Sequence, residues 1–372
     1  MTSIPETYRA IRRTGPLPTE STPQTFTITT ERTFPNGKLS PSQVLIKIIA
    51  VSLNFRDALM LHGQYPPGNN PDSIPASDCV AVVSAIGSSV TKFKVGDRVT
   101  PTFDPDDIHG ENPINPQAGL GAYIDGVLRE YAIFEEEALV SVPAYLSWEE
   151  AATLGCAAIT AWNALSFPSL LSSPDDHKYV LIQGTGGVSL FSLLFCLFIR
   201  NITPIITSSS DNKLSTLRKK LSHHPSSNKL LSYNYKTFPD QASQIKLLTK
   251  GKGVSIIINN SGPASIPADI ECLSGRNGQI SLVGFLAGWK TDWNGDVIMG
   301  LLMKVGRIQG VAVGTKDDLE GIMGFLEKEK VGLGSLVDEK IFKGLEGSRE
   351  AVEYLWRGGH LGKVVVRVAD DV

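Results

Sequence analysis

The sequence predicts an α/β protein in which a β-rich region precedes a doubly wound parallel sheet, and three observations carry that expectation. The stretch Tyr179 to Ser192, YVLIQGTGGVSLFS, reads as strand, glycine turn and helix. Beyond it, β-branched runs at Ile202 to Thr207, Ile256 to Ile258 and Ile280 to Val283 alternate with helical segments such as Gln241 to Thr249, the order of parallel strands joined by crossover helices. Before it, from Tyr8 to Val99, the chain is mostly β, with Thr25 to Thr30, Val44 to Val51 and Val80 to Ile86 alternating or β-branched.

The glycine turn organises the rest. Val180, Leu181 and Ile182 have the unbroken apolar character of a strand buried on both faces. In G-T-G-G, Gly184 permits the tight turn, Thr185 follows it, and Gly186 lets backbone approach a pyrophosphate with no Cβ in the way. Gly187 and Val188 then open an apolar helix running through Leu194 and Leu197. Its N-terminus offers free N–H groups and positive partial charge to a phosphate. Ser189 stands where the usual pattern has a third glycine, a mild departure because serine is small; an ordinary strand-to-helix turn is the competing reading. The next strand ends in Ser208, Ser209 and Ser210, with Lys213 close behind. A fold selecting NAD places Asp or Glu about 20 residues past the glycines. Hydroxyls and an ammonium would instead hold a 2′-phosphate, so the expected cofactor is NADP(H). Asp211 reads either as that acid displaced by a few residues or as the cap of the following helix.

Length and composition set the bounds. With 372 residues, 42% hydrophobic and 20% charged, the chain suits two globular domains. A net charge of −3 leaves no footprint for nucleic acid or an anionic membrane. MTSIPETYRAIRRTG lacks a signal-peptide core and no apolar run approaches a membrane span, so the expected compartment is the cytoplasm. Cys79, Cys156, Cys196 and Cys272 lie far apart in apolar surroundings and read as buried thiols.

The remaining elements follow in order. Within SLNFRDALMLHGQYP, Ser52 to Pro66, the stretch Arg56 to Leu61 makes one or two helical turns before the Gly63 break. Val95 to Val99 is a turn entering a strand. Residues 101–126, rich in Pro, Asp, Asn and Gly, form a long loop of the kind that is usually functional. Ser147 and Glu150 have the spacing of a capping box, opening a helix over Ala151 to Leu165. His223 and His224 lie in a polar loop with no third ligand nearby. A helix near Leu319 to Lys328 and a strand over Lys363 to Val368 close the chain.

Taken together, NFRDALMLHGQYP, the VGDRV segment, DGVLREYAIF, EEAATLGCAAITAWNAL, VLIQGTGGVS, TSSSDNKL and GKVVVRV resemble the medium-chain dehydrogenase/reductases, in particular the zinc-independent quinone oxidoreductase-like branch and the zinc-type alcohol dehydrogenase-like proteins. The resemblance implies a GroES-like β-rich catalytic domain built from residues 1–146 and 316–372, a Rossmann domain over residues 147–315, a small-molecule substrate and a homodimer.

It also exposes absences. Zinc-dependent members carry a Cys early in the first catalytic segment and Gly-His-Glu in the second; here those places read Asn54 to Asp57 and Ser77-Asp78. No ligand set for catalytic zinc is legible, and the 101–126 loop has no cysteines for a structural one. His62 and His109 are isolated. Without a Lewis acid, hydride still reaches an activated alkene, which favours conjugated enones, enoyl thioesters or quinones. DALMLHGQYP further resembles enoyl thioester reductases whose pattern ends in a proton-delivering tyrosine, here Tyr65. Asn54, Arg56 and Asp57 match a segment with positioning roles beside the nicotinamide. By the same matching, cofactor contacts fall to Thr160, Tyr235, Asn259, Gly284, Phe285, Leu286 and Lys363. A carbonyl reductase or alcohol dehydrogenase, and a nucleotide-binding protein with little catalysis, are the alternatives.

Overall fold

The computed structural model describes residues 4–19, 22–34, 37–65, 70–110, 119–171 and 177–370; Pro66 and residues 111–118 of the long loop lie outside these. The chain divides into two compact units, one formed by Met1–Ile159 with Gly314–Val372, the other by Thr160–Val313. The capping box at Ser147 therefore belongs to the first unit.

The second unit is a six-stranded parallel sheet. Its strands run in the spatial order Leu231–Asn234, Ile202–Ser208, Lys178–Ile182, Ile256–Asn259, Gln279–Leu282, Arg307–Gly310, every neighbouring pair parallel. This is the 3-2-1-4-5-6 order of a dinucleotide-binding fold, with the glycine-turn strand at the point where the order reverses. Leu181, Ile205, Ile257 and Ile280 lie on adjacent strands and are fully buried, which is why these runs are continuously apolar. The helix Gly187–Phe198 buries residues on all sides, including Leu190, Phe191, Leu194 and Phe195. A helix apolar all round belongs inside the fold.

The first unit is built on a mostly antiparallel seven-stranded sheet with the main path Val337–Lys343, Lys363–Arg367, Gln43–Leu53, Asp78–Ile86, Arg98–Pro101, Leu139–Ser141, while Tyr131–Glu135 also pairs with Gln43–Leu53. A separate two-stranded sheet joins Thr7–Thr14 to Thr25–Arg32. Strand Lys363–Arg367, from the end of the chain, lies antiparallel against Gln43–Leu53, so the N- and C-terminal portions share one core around Ile46, Val51, Ala81, Val364 and Val366. The capping box forms as the spacing predicts: Ser147 N–H donates to Glu150 Oε2 at 2.9 Å and Glu150 N–H to Ser147 Oγ at 3.1 Å.

One element departs from the sequence expectation. Ala151 to Leu165 is not a single α-helix: Trp148–Ala151 is followed by a wider, π-helical turn at Leu154–Ala158 and then by Ile159–Leu165. Thr153 Oγ1 donates to the carbonyl of Glu150 at 2.7 Å, taking an acceptor from the helix ladder. Among the described residues no helix is long and apolar enough to cross a membrane.

Candidate active site

In the second unit, parallel pairing places the cofactor candidates along one edge. Gly184, Ser208, Tyr235, Asn259 and Gly284 each end or closely follow a strand, the carboxyl edge at which open α/β sheets bind ligands. Gly184 has φ +79°, where a side chain would be strained. Gly186 caps the helix Gly187–Phe198, and a Cβ on it would meet only open space. Half-buried Val188 and buried Thr185 flank this cradle. Ser189, in the third-glycine place, is used: its Oγ donates to the Gln183 carbonyl at 2.9 Å. Asn260 Nδ2 donates to the same carbonyl at 3.0 Å, and Gly184 N–H donates to Thr207 Oγ1 at 3.2 Å. The turn is thus tied to two neighbouring strands.

At the next strand end, Ser208 Oγ accepts from Ser210 N–H at 3.2 Å and Ser210 Oγ accepts from Lys213 N–H at 3.3 Å. Ser210, not Asp211, caps the helix Asp211–Lys220. Asp211 lies in its first turn, where its carboxylate accepts from Asn234 Nδ2 at 2.9 Å. Ser209 is exposed and Lys213 half-buried. Tyr235 N–H donates to the Ser208 carbonyl at 3.1 Å, with the side chain exposed. Past the strand Gln279–Leu282, Gly284 and Phe285 are half-buried and Leu286 exposed, and Phe285 stacks on Trp289 at 3.9 Å. Thr160 is buried in the helix Ile159–Leu165.

The side chain of Asn259 is committed inward. Its Nδ2 donates to Asp269 Oδ2 at 2.6 Å and Ser265 Oγ at 2.9 Å, and its Oδ1 accepts from Gly262 N–H at 2.8 Å. Asp269, missed in the sequence, also accepts from Gln183 Nε2 at 2.8 Å, Gln241 Nε2 at 2.7 Å and Ser265 Oγ at 3.1 Å. Burial pushes this carboxyl up to about 6 against the pull of those four donors. Its only legible signal was the position of Gln183 immediately before Gly184.

In the first unit, the helix Phe55–Leu61 begins beside Asn54, whose N–H donates to Asp57 Oδ2 at 2.8 Å. Asp57 is fully buried and Oδ1 has no partner. Burial raises its pKa, against the pull of Arg56 and the Asn54 N–H. Arg56 Nη1 donates to the Leu120 carbonyl at 2.8 Å, and the guanidinium lies 5.5 Å from the Tyr65 ring centroid and 5.0 Å from that of Phe103. Tyr65 is half-buried.

Asn54 also enters a closed ring of four side chains. Lys363 Nζ donates to Asn54 Oδ1 at 2.5 Å and to Asp78 Oδ2 at 3.2 Å. Asn54 Nδ2 donates to Ser77 Oγ at 3.4 Å, and Ser77 Oγ donates to Asp78 Oδ1 at 2.6 Å. The Lys363 and Asp78 side chains are 3% and 0% exposed. Ala76, just before Ser77, holds φ +67°, a strained backbone conformation for alanine that fixes where Ser77 and Asp78 point. Lys363, which the sequence comparison assigns to the cofactor, is engaged here in the first unit. Cys156 is buried nearby, its thiol pushed up to about 12 by burial and by Asp78. The two isolated histidines are engaged elsewhere: His62 stacks on Trp356 at 4.1 Å and His109 faces Asp317 at 3.0 Å. Among the described residues no three His, Cys, Asp or Glu side chains are grouped to hold a metal.

The model of the alcohol dehydrogenase GroES-like domain matches residues 40–144 and that of the zinc-binding dehydrogenase residues 187–328. A zinc-type alcohol dehydrogenase-like protein of Schizosaccharomyces pombe is 36% identical over 334 residues, 89% of this chain and 92% of that protein. A trans-enoyl reductase of Pyricularia grisea is 28% identical over 226 residues, 59% of this chain and 54% of that protein. The crystal structure of a putative alcohol dehydrogenase from Sinorhizobium meliloti superposes with a TM-score of 0.83 at 29% identity, covering 98% of this chain and all of the other.

Proposed function

Because this chain belongs to the medium-chain dehydrogenase/reductase superfamily of oxidoreductases, we propose that it is an NADPH-dependent, zinc-independent reductase of activated C=C bonds, taking an enone, an enoyl thioester or a quinone. The observation that carries this reading is the Lys363 ammonium between Asn54 and Asp78. The family's zinc-binding description implies a metal, but the residues do not fit one. An ammonium has no lone pair, Asn54 and Ser77 are neutral, and burial with Asp78 nearby disfavours the Cys156 thiolate. Of the two carboxylates in these places, Lys363 already neutralises Asp78, and burial disfavours the charged form of Asp57. An acceptor conjugated to a carbonyl needs only hydrogen-bond stabilisation of its oxygen, which this donor set can supply.

The second unit fits a dinucleotide. Gly186 leaves its Cβ space open, the following helix presents its N-terminal amides, and the second strand ends in hydroxyls, with the nearest carboxylate, Asp211, bonded to Asn234. Gly184, Thr185, Gly186, Gly187 and Val188 would hold the pyrophosphate, and Ser208, Ser209, Ser210, Lys213 and Tyr235 the 2′-phosphate end. Thr160, Gly284, Phe285 and Leu286 would line the nicotinamide, with Asn259 shaping the loop through its internal bonds. A nicotinamide held there would supply a hydride to the β-carbon. Tyr65, beside Arg56, would supply the proton to the α-carbon, so one hydride and one proton saturate the bond. The exposed apolar side chains of Leu302, Met303 and Val305, next to the edge strand Arg307–Gly310, support a homodimer, since an open edge and an apolar patch invite a second copy.

The test is NADPH oxidation with cyclohexenone, a benzoquinone, a crotonyl thioester and a saturated aldehyde, before and after chelation, alongside elemental analysis. Turnover of the conjugated acceptors, unaffected by chelator and without stoichiometric zinc, is the expected result. Preference for the saturated aldehyde, or activity lost to chelation and restored by zinc, overturns the reading.

A further inference from the structure

We propose that Lys363 is a positioning residue for the reduction, its buried ammonium orienting Asn54 so that Asn54 Nδ2 donates to the carbonyl oxygen of the substrate. The inference rests on the reading of the site as a conjugated-carbonyl reductase.

The orientation follows from donor chemistry. An ammonium only donates, so the Asn54 atom 2.5 Å from Lys363 Nζ is the oxygen. That fixes the amide group, and Nδ2 faces the other way. Nδ2 carries two hydrogens but makes one long contact of 3.4 Å, to Ser77 Oγ, so a hydrogen remains for a ligand. Asn54 is the half-buried member of the ring, whereas Lys363, Ser77 and Asp78 are buried. It is therefore the one that can meet a substrate. The charge on Lys363 withdraws electron density through Oδ1 and makes Nδ2 a better donor. The ring closes on itself: Asp78 accepts from Ser77 and Lys363, so neither Asn54 nor Lys363 can turn without breaking a second bond. A buried ion pair adds little stability over an apolar pair of the same size. Its consequence here is a donor held still and polarised where negative charge would develop on the substrate oxygen.

The competing account is that Lys363 only neutralises Asp78, and two variants of the full-length protein separate the accounts. Lys363→Met removes the ammonium at similar length but leaves Asp78 buried and unpaired. The double variant Lys363→Met with Asp78→Asn removes both charges. Melting temperature, NADPH affinity by calorimetry, and kcat and KM for the panel acceptor that the wild type reduces fastest are measured for each. The expected result is a double variant that melts near the wild type and binds NADPH within a few-fold, with kcat lowered about 10²-fold, the scale of losing one oriented donor to a developing oxyanion, and KM little changed. A double variant that regains wild-type kcat shows Lys363 to be a counter-ion only. A double variant melting well below the wild type shows the pair to be structural. Either result overturns the proposal. A wild type that reduces no conjugated acceptor instead removes the reading on which the proposal stands, a failure distinct from the other two.

Discussion

Gln183 Nε2 donates to the Asp269 carboxylate at 2.8 Å, joining the residue that precedes the glycine turn to the helix Ile266–Cys272. Asp269 is fully buried, with amides and a hydroxyl around it and no cation bonded to it. Burial raises its pKa from 3.8 to about 6. A folded-state pKa above the unfolded one means that the folded protein binds the proton more tightly. The stabilisation is complete below the unfolded value and is lost as pH rises through about 6. The stability of the wild type relative to Asp269→Asn should therefore grow, by on the order of 1 to 2 kcal/mol, as pH falls from about 7 to about 5. Denaturant titrations of both proteins across that range measure it, and a flat difference would refute it.

The cofactor preference has an equally direct measurement. Ser208 and Ser210 are linked through the helix cap, Tyr235 is tied to the Ser208 carbonyl, and Asp211 is occupied by Asn234. The carboxylate nearest that strand end sits in the first turn of the next helix, while hydroxyls and the Lys213 ammonium follow the strand itself. Each charge-assisted contact to a 2′-phosphate is worth about 1.5 to 3 kcal/mol, so NADPH should bind more than about tenfold tighter than NADH. Lys213→Ala should weaken NADPH by about tenfold and leave NADH nearly unchanged. Calorimetric titration giving equal affinities for the two nucleotides would sink the assignment.

What could be read from the sequence was local or periodic. The strand, glycine turn and helix at Lys178–Phe198 declare themselves within about 20 residues, because a buried parallel strand is continuously apolar and only glycine tolerates the Gly184 backbone. The cap falls on Ser210, and Asp211, readable as either a cap or a displaced acid, lies in the first turn, since Ser and Asp have similar capping preferences and only the backbone decides between them. The break after Ala151 was illegible because alanine and glycine suit an α-helix and a wider turn alike. The two polar hubs were the least visible. Lys363 and Asn54 are 309 positions apart and meet only because the last strand pairs with Gln43–Leu53. Asp269 carries no motif, and its meaning comes from the four donors that three other segments and its own helix bring to it.

Tyr65 gives the sharpest separation of chemistry from binding. It is half-buried, and the Arg56 guanidinium lies 5.5 Å from its ring centroid, itself held by the Leu120 carbonyl. When hydride enters the β-carbon of a conjugated carbonyl, the α-carbon must gain a proton, and a positioned phenol can give it directly or through one water. Tyr65→Phe deletes the hydroxyl and keeps the ring, so the packing against Arg56 survives. NADPH affinity, which the proposed reading assigns to the second unit, should stay within a few-fold. Turnover should fall by about 10² to 10⁴, the range of a positioned general acid, with the larger loss at high pH, where solvent protons are scarce. Stopped-flow measurement separates the steps: nicotinamide oxidation in a single turnover reports hydride transfer, and incorporation of solvent deuterium at the α-carbon reports protonation. A variant that turns over within a few-fold of the wild type would show that water supplies the proton and that Tyr65 only lines the wall.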